Sequence, residues 1–179
     1  LGPISDQKAK EIGLVDNGRY GEDDTLQLAQ LLESLGPVED IAAFLPHAPL
    51  RLYVMGDRGE RNEAATAEDI AEMAVHVREG MAAGAVGFST SRSLNHKTLD
   101  DQLVPGTFAS FDELSGLARA MVEAGGGLFE VVPSGETGDD EKMILGEIEL
   151  LAEVSKATGA PVSFLLIQSA GAPGLWRKQ

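Results

Sequence analysis

The sequence predicts an α/β fold with parallel strands, and three observations carry that expectation. Short apolar runs alternate with amphipathic helical patterns along residues 38–167, and strands separated by helices pair in parallel. The runs read as apolar throughout, as expected of strands covered on both faces. Long polar loops follow the runs, while the turns leading back into them are short and rich in glycine. In α/β proteins that asymmetry puts the chemistry at the carboxyl ends of the strands. Two architectures meet these conditions: a section of a (β/α)8 barrel and a small doubly wound sheet.

Taken in order, residues 1–37 read as a helical N-terminal segment, with patterns at 8–12 and 25–35 joined through the turn signal Asp16-Asn17-Gly18. Residues 38–179 are expected to hold the β/α units. Ile41 to Leu45 is a short apolar run closed by Pro46, and residues 50–55 suit a strand or a turn. Thr66 followed by Asp69 is a capping-box start, and Ile70, Met73, Val77 and Met81 then share one helical face. Gly84 ends that helix, and residues 85–90 form the next strand. A polar loop over 91–107 leads to a helix beginning near Phe111, with Leu114, Leu117, Ala118 and Met121 on its buried side. Gly125, Gly126 and Gly127 stop it before a strand at 128–132. Asp139, Asp140 and Glu141 suit a solvated helix start. The helix over 142–158 buries Ile144, Ile148, Leu151 and Val154, and the run 162–167 completes the series.

Composition removes whole classes of function. The 179 residues carry 14 Lys and Arg against 29 Asp and Glu, a formal net charge of −15. Such a surface repels nucleic acid and anionic membranes alike, so neither is expected as a partner. No apolar run approaches the ~18 residues of a spanning helix, and the mean hydropathy is −0.05. The first residues lack a secretory pattern. There are no cysteines, which removes disulfides, thiolate nucleophiles and sulfur-ligated metals. A cytoplasmic location fits these features. Both ends look cut, with Leu at position 1 and a bare helix start after Gly174.

Few side chains remain for chemistry. His76 lies within a helix and suits an exposed structural role. His47 follows a strand in Leu45-Pro46-His47, where it either serves the catalytic end or braces the turn. His96 belongs to a hydroxyl-rich loop that opens with Ser89, Thr90, Ser91 and Arg92, a composition suited to holding a carboxylate. Glu130 stands inside an apolar strand, so its carboxylate calls for a partner, a metal or a raised pKa.

Taken together, several segments resemble the D-aminoacylase (N-acyl-D-amino-acid deacylase) branch of the amidohydrolase superfamily. They are Pro46-His47-Ala48-Pro49-Leu50-Arg51, Val54-Met55-Gly56, Ala65-Thr66, Met73, Gly84-Ala85-Val86-Gly87-Phe88-Ser89-Thr90-Ser91-Arg92 and Val104-Pro105-Gly106-Thr107-Phe108-Ala109, followed by Glu113-Leu114. The likeness runs from about Val38 to Trp176, and the block from Gly84 to Arg92 is its most specific part. It implies a partial (β/α)8 TIM-barrel section with parallel strands and flanking helices. It also implies a zinc-dependent hydrolase of an amide bond in an N-acyl-amino acid or related small molecule, with an Asp as general base. In that family, strands matching 128–132 and 162–167 bring metal-ligating histidines, where this chain has Val132 and Leu166. The His-x-His pair after the first barrel strand and the catalytic Asp would lie outside the chain. Glu130, and less directly His47, are the side chains here that suit a metal, and Ser89, Thr90, Ser91, Arg92 and His96 suit the substrate. A shorter likeness, Ile4 to Asp16, is to a helix and turn near the end of enoyl-CoA hydratase domains.

The resemblance therefore leaves two expectations: a section of an amidohydrolase, or a non-catalytic barrel remnant that binds a partner or small acid. An incomplete barrel has two unpaired strand edges, which a homo-oligomer or the remainder of a longer chain would cover.

Overall fold

The structure, a computed structural model, describes residues 42–136 and 140–165, together with Gly174 and Arg177. The N-terminal helical segment expected over 1–37 and the end of the last apolar run lie outside the described residues. The elements run β1 (Phe44–Pro46), α1 (His47–Met55), α2 (Asp57–Glu60), α3 (Ala67–Ala82), β2 (Gly87–Ser91), α4 (Phe111–Glu123), β3 (Leu128–Val132), α5 (Glu141–Thr158) and β4 (Val162–Phe164). The strands form one four-stranded sheet, ordered β1-β2-β3-β4 and parallel throughout. The fold is thus α/β, with helices flanking a parallel sheet. Sequential order without a reversal differs from the doubly wound pattern, in which the order turns back at a switch point. It is the order that consecutive strands of a barrel section would have.

Local chemistry explains most boundaries. At α3 the capping box is complete: Asp69 N–H donates to Thr66 Oγ1 at 3.2 Å, and Thr66 N–H donates to Asp69 Oδ2 at 2.8 Å. Ser110 and Asp140 cap α4 and α5 by accepting from the N–H of Glu113 and of Met143. Asp140 and Glu141 are exposed, as a solvated helix start requires. Gly159 ends α5 at φ 76°, the left-handed conformation that glycine adopts without strain.

Residues 47–55, part of which had suited a strand or turn, are helical. Two prolines disguise the helix. Pro46 is its N-cap, extended at φ −86° and ψ 135°, and Pro49 stands in the first turn, where no intrahelical N–H partner is lost. His47, Leu50, Arg51 and Met55 are its buried residues, at helical spacing.

The core lies between the sheet and its helices. Met73 and Val77 of α3, Leu114, Leu117 and Met121 of α4, and Leu151 and Val154 of α5 are buried there with Phe88, Phe129 and Val131 of the strands. Phe88 and Phe129 sit side by side across the β2–β3 register with ring centroids 5.5 Å apart. Each such ring contributes roughly 1.5–3 kcal/mol through burial.

The expectation of strands covered on both faces does not hold among the described residues. Alternate positions of β2 and β3 go opposite ways: Phe88, Thr90, Phe129 and Val131 are buried, whereas Ser89 and Ser91 are half-buried and Glu130 is exposed. The register lines up Pro46, Ser89, Glu130 and Ser163 as one row across all four strands. This row is polar or small, and it gives the sheet an open face.

Candidate functional site

The ends of β1, β2 and β3, the first turn of α1 and the long loop after β2 line an open cleft of about 630 Å³ at the carboxyl end of the sheet. Its lining includes His47, Ser89, Thr90, Ser91, His96 and Glu130, six of the seven side chains that the sequence marks for chemistry. Asn95, Lys97 and Val104 add to it from the loop after β2.

Arg92 is the seventh, and its guanidinium is engaged elsewhere. Nε and Nη2 form a forked pair with Glu147 of α5 at 2.6 and 3.1 Å, and Nη1 donates to the Ala109 carbonyl at 2.7 Å. Ser134 Oγ donates to the Arg92 carbonyl at 2.5 Å. This arginine does hold a carboxylate, but that carboxylate belongs to the chain itself, and the pair ties the loop after β2 to α5.

The open side of the cleft is lightly constrained. Ser91 Oγ and His96 Nδ1 are hydrogen-bonded at 2.7 Å, and Lys97 Nζ donates to Asp101 Oδ1 at 2.7 Å. Beneath them the buried Glu136 carboxylate accepts from Ser93 Oγ and, at 3.0 Å, from Asn95 Nδ2. Burial pushes the Glu136 carboxyl up, but these donors outweigh it and hold it below the usual range. The tip of this loop turns back on itself through a bridge between Lys97 and Leu103. Its return limb is fixed by Asn62, whose amide donates to the carbonyls of Leu103 and Val104 and accepts from Gly106 N–H at 2.8 Å.

The inner wall is built differently. Because Pro46 pairs with Ser89, the residues that follow them, His47 and Thr90, arrive side by side. His47 Nδ1 lies 2.8 Å from Thr90 Oγ1, and Nε2 lies 2.9 Å from Glu113 Oε1. The same Glu113 oxygen accepts from Arg51 Nη1, and Arg51 Nη2 donates to the Glu63 carbonyl at 2.5 Å. All four side chains are buried, His47 and Glu113 to within 1% of completely. Arg51 Nε has no hydrogen-bond partner among the described residues.

The charges of this group follow from its surroundings. Burial drives the His47 imidazole below its ordinary value, against the opposing pull of Glu113, so the ring is neutral near pH 7. Burial also pushes the Glu113 carboxyl up, but hydrogen bonds and charge from His47 and Arg51 overcome that and leave it low. An ionised carboxylate only accepts, so Nε2 of His47 carries the ring proton. Nδ1 is then the acceptor, and the Thr90 hydroxyl donates to it. Gly106 closes over this nitrogen at φ 97°, where a Cβ would lie 2.8 Å from Nδ1, so a side chain there would be both strained and obstructed.

Sequence reasoning missed Glu113 and Arg51. Ser110-x-x-Glu113 has the form of a capping box, which accounts for the glutamate without any further role. In the structure only the Ser110 half of the box forms, and the Glu113 side chain turns inward to His47. His76, by contrast, is the structural helix residue expected, bonded to Glu79 at 2.9 Å and edge-on to Tyr53.

Zinc, which the resemblance implies, takes three or four nitrogen or oxygen ligands in a cysteine-free protein. Among the described residues no three His, Asp or Glu side chains gather to hold an ion. Both nitrogens of His47 are taken, and among the described residues Glu130 is the one carboxylate that lines the cleft. The described residues alone therefore do not fit the ion. Among them, too, no helix is long and apolar enough to cross a membrane. No family model, curated protein or solved structure matches this chain.

Proposed function

We propose that the chain is a section of a cytoplasmic amidohydrolase of the D-aminoacylase type, which hydrolyses the amide C–N bond of an N-acyl-amino acid or a related small molecule. The observation that carries this reading is the cleft itself. Its location after parallel strands is where α/β enzymes gather their chemistry, and its lining draws on the segments that resemble the family. Ser89, Ser91, His96 and Lys97 present hydroxyl, imidazole and ammonium groups suited to an amide and a carboxylate. Zinc enters this reading with the resemblance; Glu130 is the carboxylate that the described part of the cleft offers it, and the other ligands would come from outside the described residues.

Metal analysis of purified protein, paired with assays on N-acetyl-D-amino acids, tests the reading. The expected result is close to one zinc per chain, lost on Glu130→Ala together with hydrolysis. Metal-free protein that leaves these amides intact would overturn it. That outcome would favour the second reading, a barrel remnant that binds a small acid without turnover. The engagement of Arg92 by Glu147 means that in this alternative the acid would meet His96 and Lys97 of the cleft instead of the arginine. Titration calorimetry with N-acetyl-amino acids would then register binding in the absence of metal.

A further inference from the structure

We propose that Thr90 is an acyl-accepting nucleophile, with His47 as its general base and Glu113 as the carboxylate that positions the base, giving the cleft a metal-independent acyl-transfer activity toward activated esters and amides. The proposal stands apart from the amidohydrolase reading and needs none of its ligands.

Three features carry it. Hydroxyl, imidazole and carboxylate lie in series, at 2.8 Å and 2.9 Å, the contacts that an activated hydroxyl requires. The direction of the series is fixed: Glu113 can only accept from Nε2, so Nδ1 is left as the base facing the Thr90 hydroxyl. The series also meets the cleft, since both Thr90 and His47 line it, while Glu113 and Arg51 do not. The Arg51 guanidinium holds Glu113 from behind, as an orienting group for the carboxylate.

Water is the one co-reactant that the chemistry needs. Thr90 Oγ1 forms a bond to the substrate carbonyl carbon as its proton passes to His47 Nδ1. The bond from that carbon to the leaving nitrogen or oxygen then breaks, and the leaving group takes the proton from Nδ1. Water next attacks the acyl-threonine carbonyl and gives a proton to Nδ1. That proton returns to Oγ1 as the acid departs, which restores the hydroxyl.

The probe is p-nitrophenyl acetate, applied to full-length protein in the presence of EDTA. Nitrophenolate release and the mass of the peptide bearing Thr90 are read together. We expect a burst with one acetyl group on Thr90, retained in Thr90→Ser and absent in Thr90→Val, a substitution of nearly equal volume. Glu113→Gln should slow acylation by on the order of a hundredfold, the lower end of what general-base catalysis contributes, because the amide no longer fixes the tautomer of His47. Circular dichroism on each variant separates loss of chemistry from loss of fold. An unlabelled Thr90 in the folded wild-type protein, or an equal burst from Thr90→Val, would overturn the proposal. Zinc content and hydrolysis of N-acetyl-D-amino acids are separate readouts, so failure of one proposal is distinguishable from failure of the other.

Discussion

The two sides of the cleft use similar side chains in opposite ways. On the inner wall a histidine, a carboxylate, an arginine and a hydroxyl are buried, and hydrogen bonds run unbroken from Thr90 through His47 and Glu113 to Arg51. On the open face a histidine, a carboxylate, a lysine and two serines stand half-buried or exposed, with few fixed contacts. Burial is what separates them. Inside, each group loses its hydration and must recover it from a neighbour, so the arrangement is rigid and its protonation near pH 7 is set by those neighbours. Outside, water serves as partner and the side chains stay available to a ligand. Stability should therefore depend mainly on the inner group, beside the chemistry proposed for it, and ligand recognition on the outer one.

The largest effect that would test this contrast is Glu113→Ala. It leaves the Arg51 charge and the His47 N–H buried without their acceptor, and should cost about 3–5 kcal/mol in urea unfolding. A loss below about 1 kcal/mol would mean the inner wall is no tighter than the outer. Gly106→Ala comes next, at roughly 1–3 kcal/mol for the forced positive φ alone, with crowding of His47 Nδ1 in addition.

Acid should also distinguish the two sides. The folded values of His47 and Glu113 both lie below their unfolded ones, so the unfolded chain binds more protons in each window and stability rises with pH there. The His47 contribution is fully present above the ordinary histidine value of ~6.5 and is lost as pH falls toward the folded value; that of Glu113 follows below ~4.3. The urea midpoint should thus decline between about pH 7.5 and 5.5, and Thr90→Val should leave that decline in place, because it removes no titrating group. A flat midpoint across this range would show that His47 is not held neutral by burial. The smallest expected effect on stability is Glu130→Ala, within about 0.5 kcal/mol, as for an ordinary surface position. Its consequences should appear in ligand or metal binding instead, and a large loss of stability would place Glu130 in the structural group.

Much of the architecture was legible in advance. The buried faces of α3 and α4 fell where 3.6-residue spacing put them, and β3 runs over the five residues expected. Other features depended on information that periodicity does not carry. The helix α1 was hidden because proline reads as a breaker unless its N-cap and first-turn positions are known. The open face is hidden in the sequence because residues 85–90 read as an apolar run, although Gly87, Ser89 and Ser91 alternate there with Phe88 and Thr90. For the site, strand ends and loop composition marked His47, Thr90 and Glu130 individually. What they could not supply was the register, which joins His47 to Thr90 across 43 positions of sequence, or the side-chain direction that brings Glu113 to both His47 and Arg51.

The loop over the cleft is anchored at its base and free at its tip. Glu136 holds one limb through Ser93 and Asn95, and Asn62 holds the other through Leu103, Val104 and Gly106. Between the anchors, Leu99 is 88% exposed and the turn contacts mainly itself. Such a segment is evolutionarily cheap to revise. Its length and composition can drift, and with them the shape of the entrance, while the buried wall beneath is left untouched. Related chains that share the anchors are expected to differ most between Lys97 and Leu103, making this short tip the place where one scaffold is adapted to different guests.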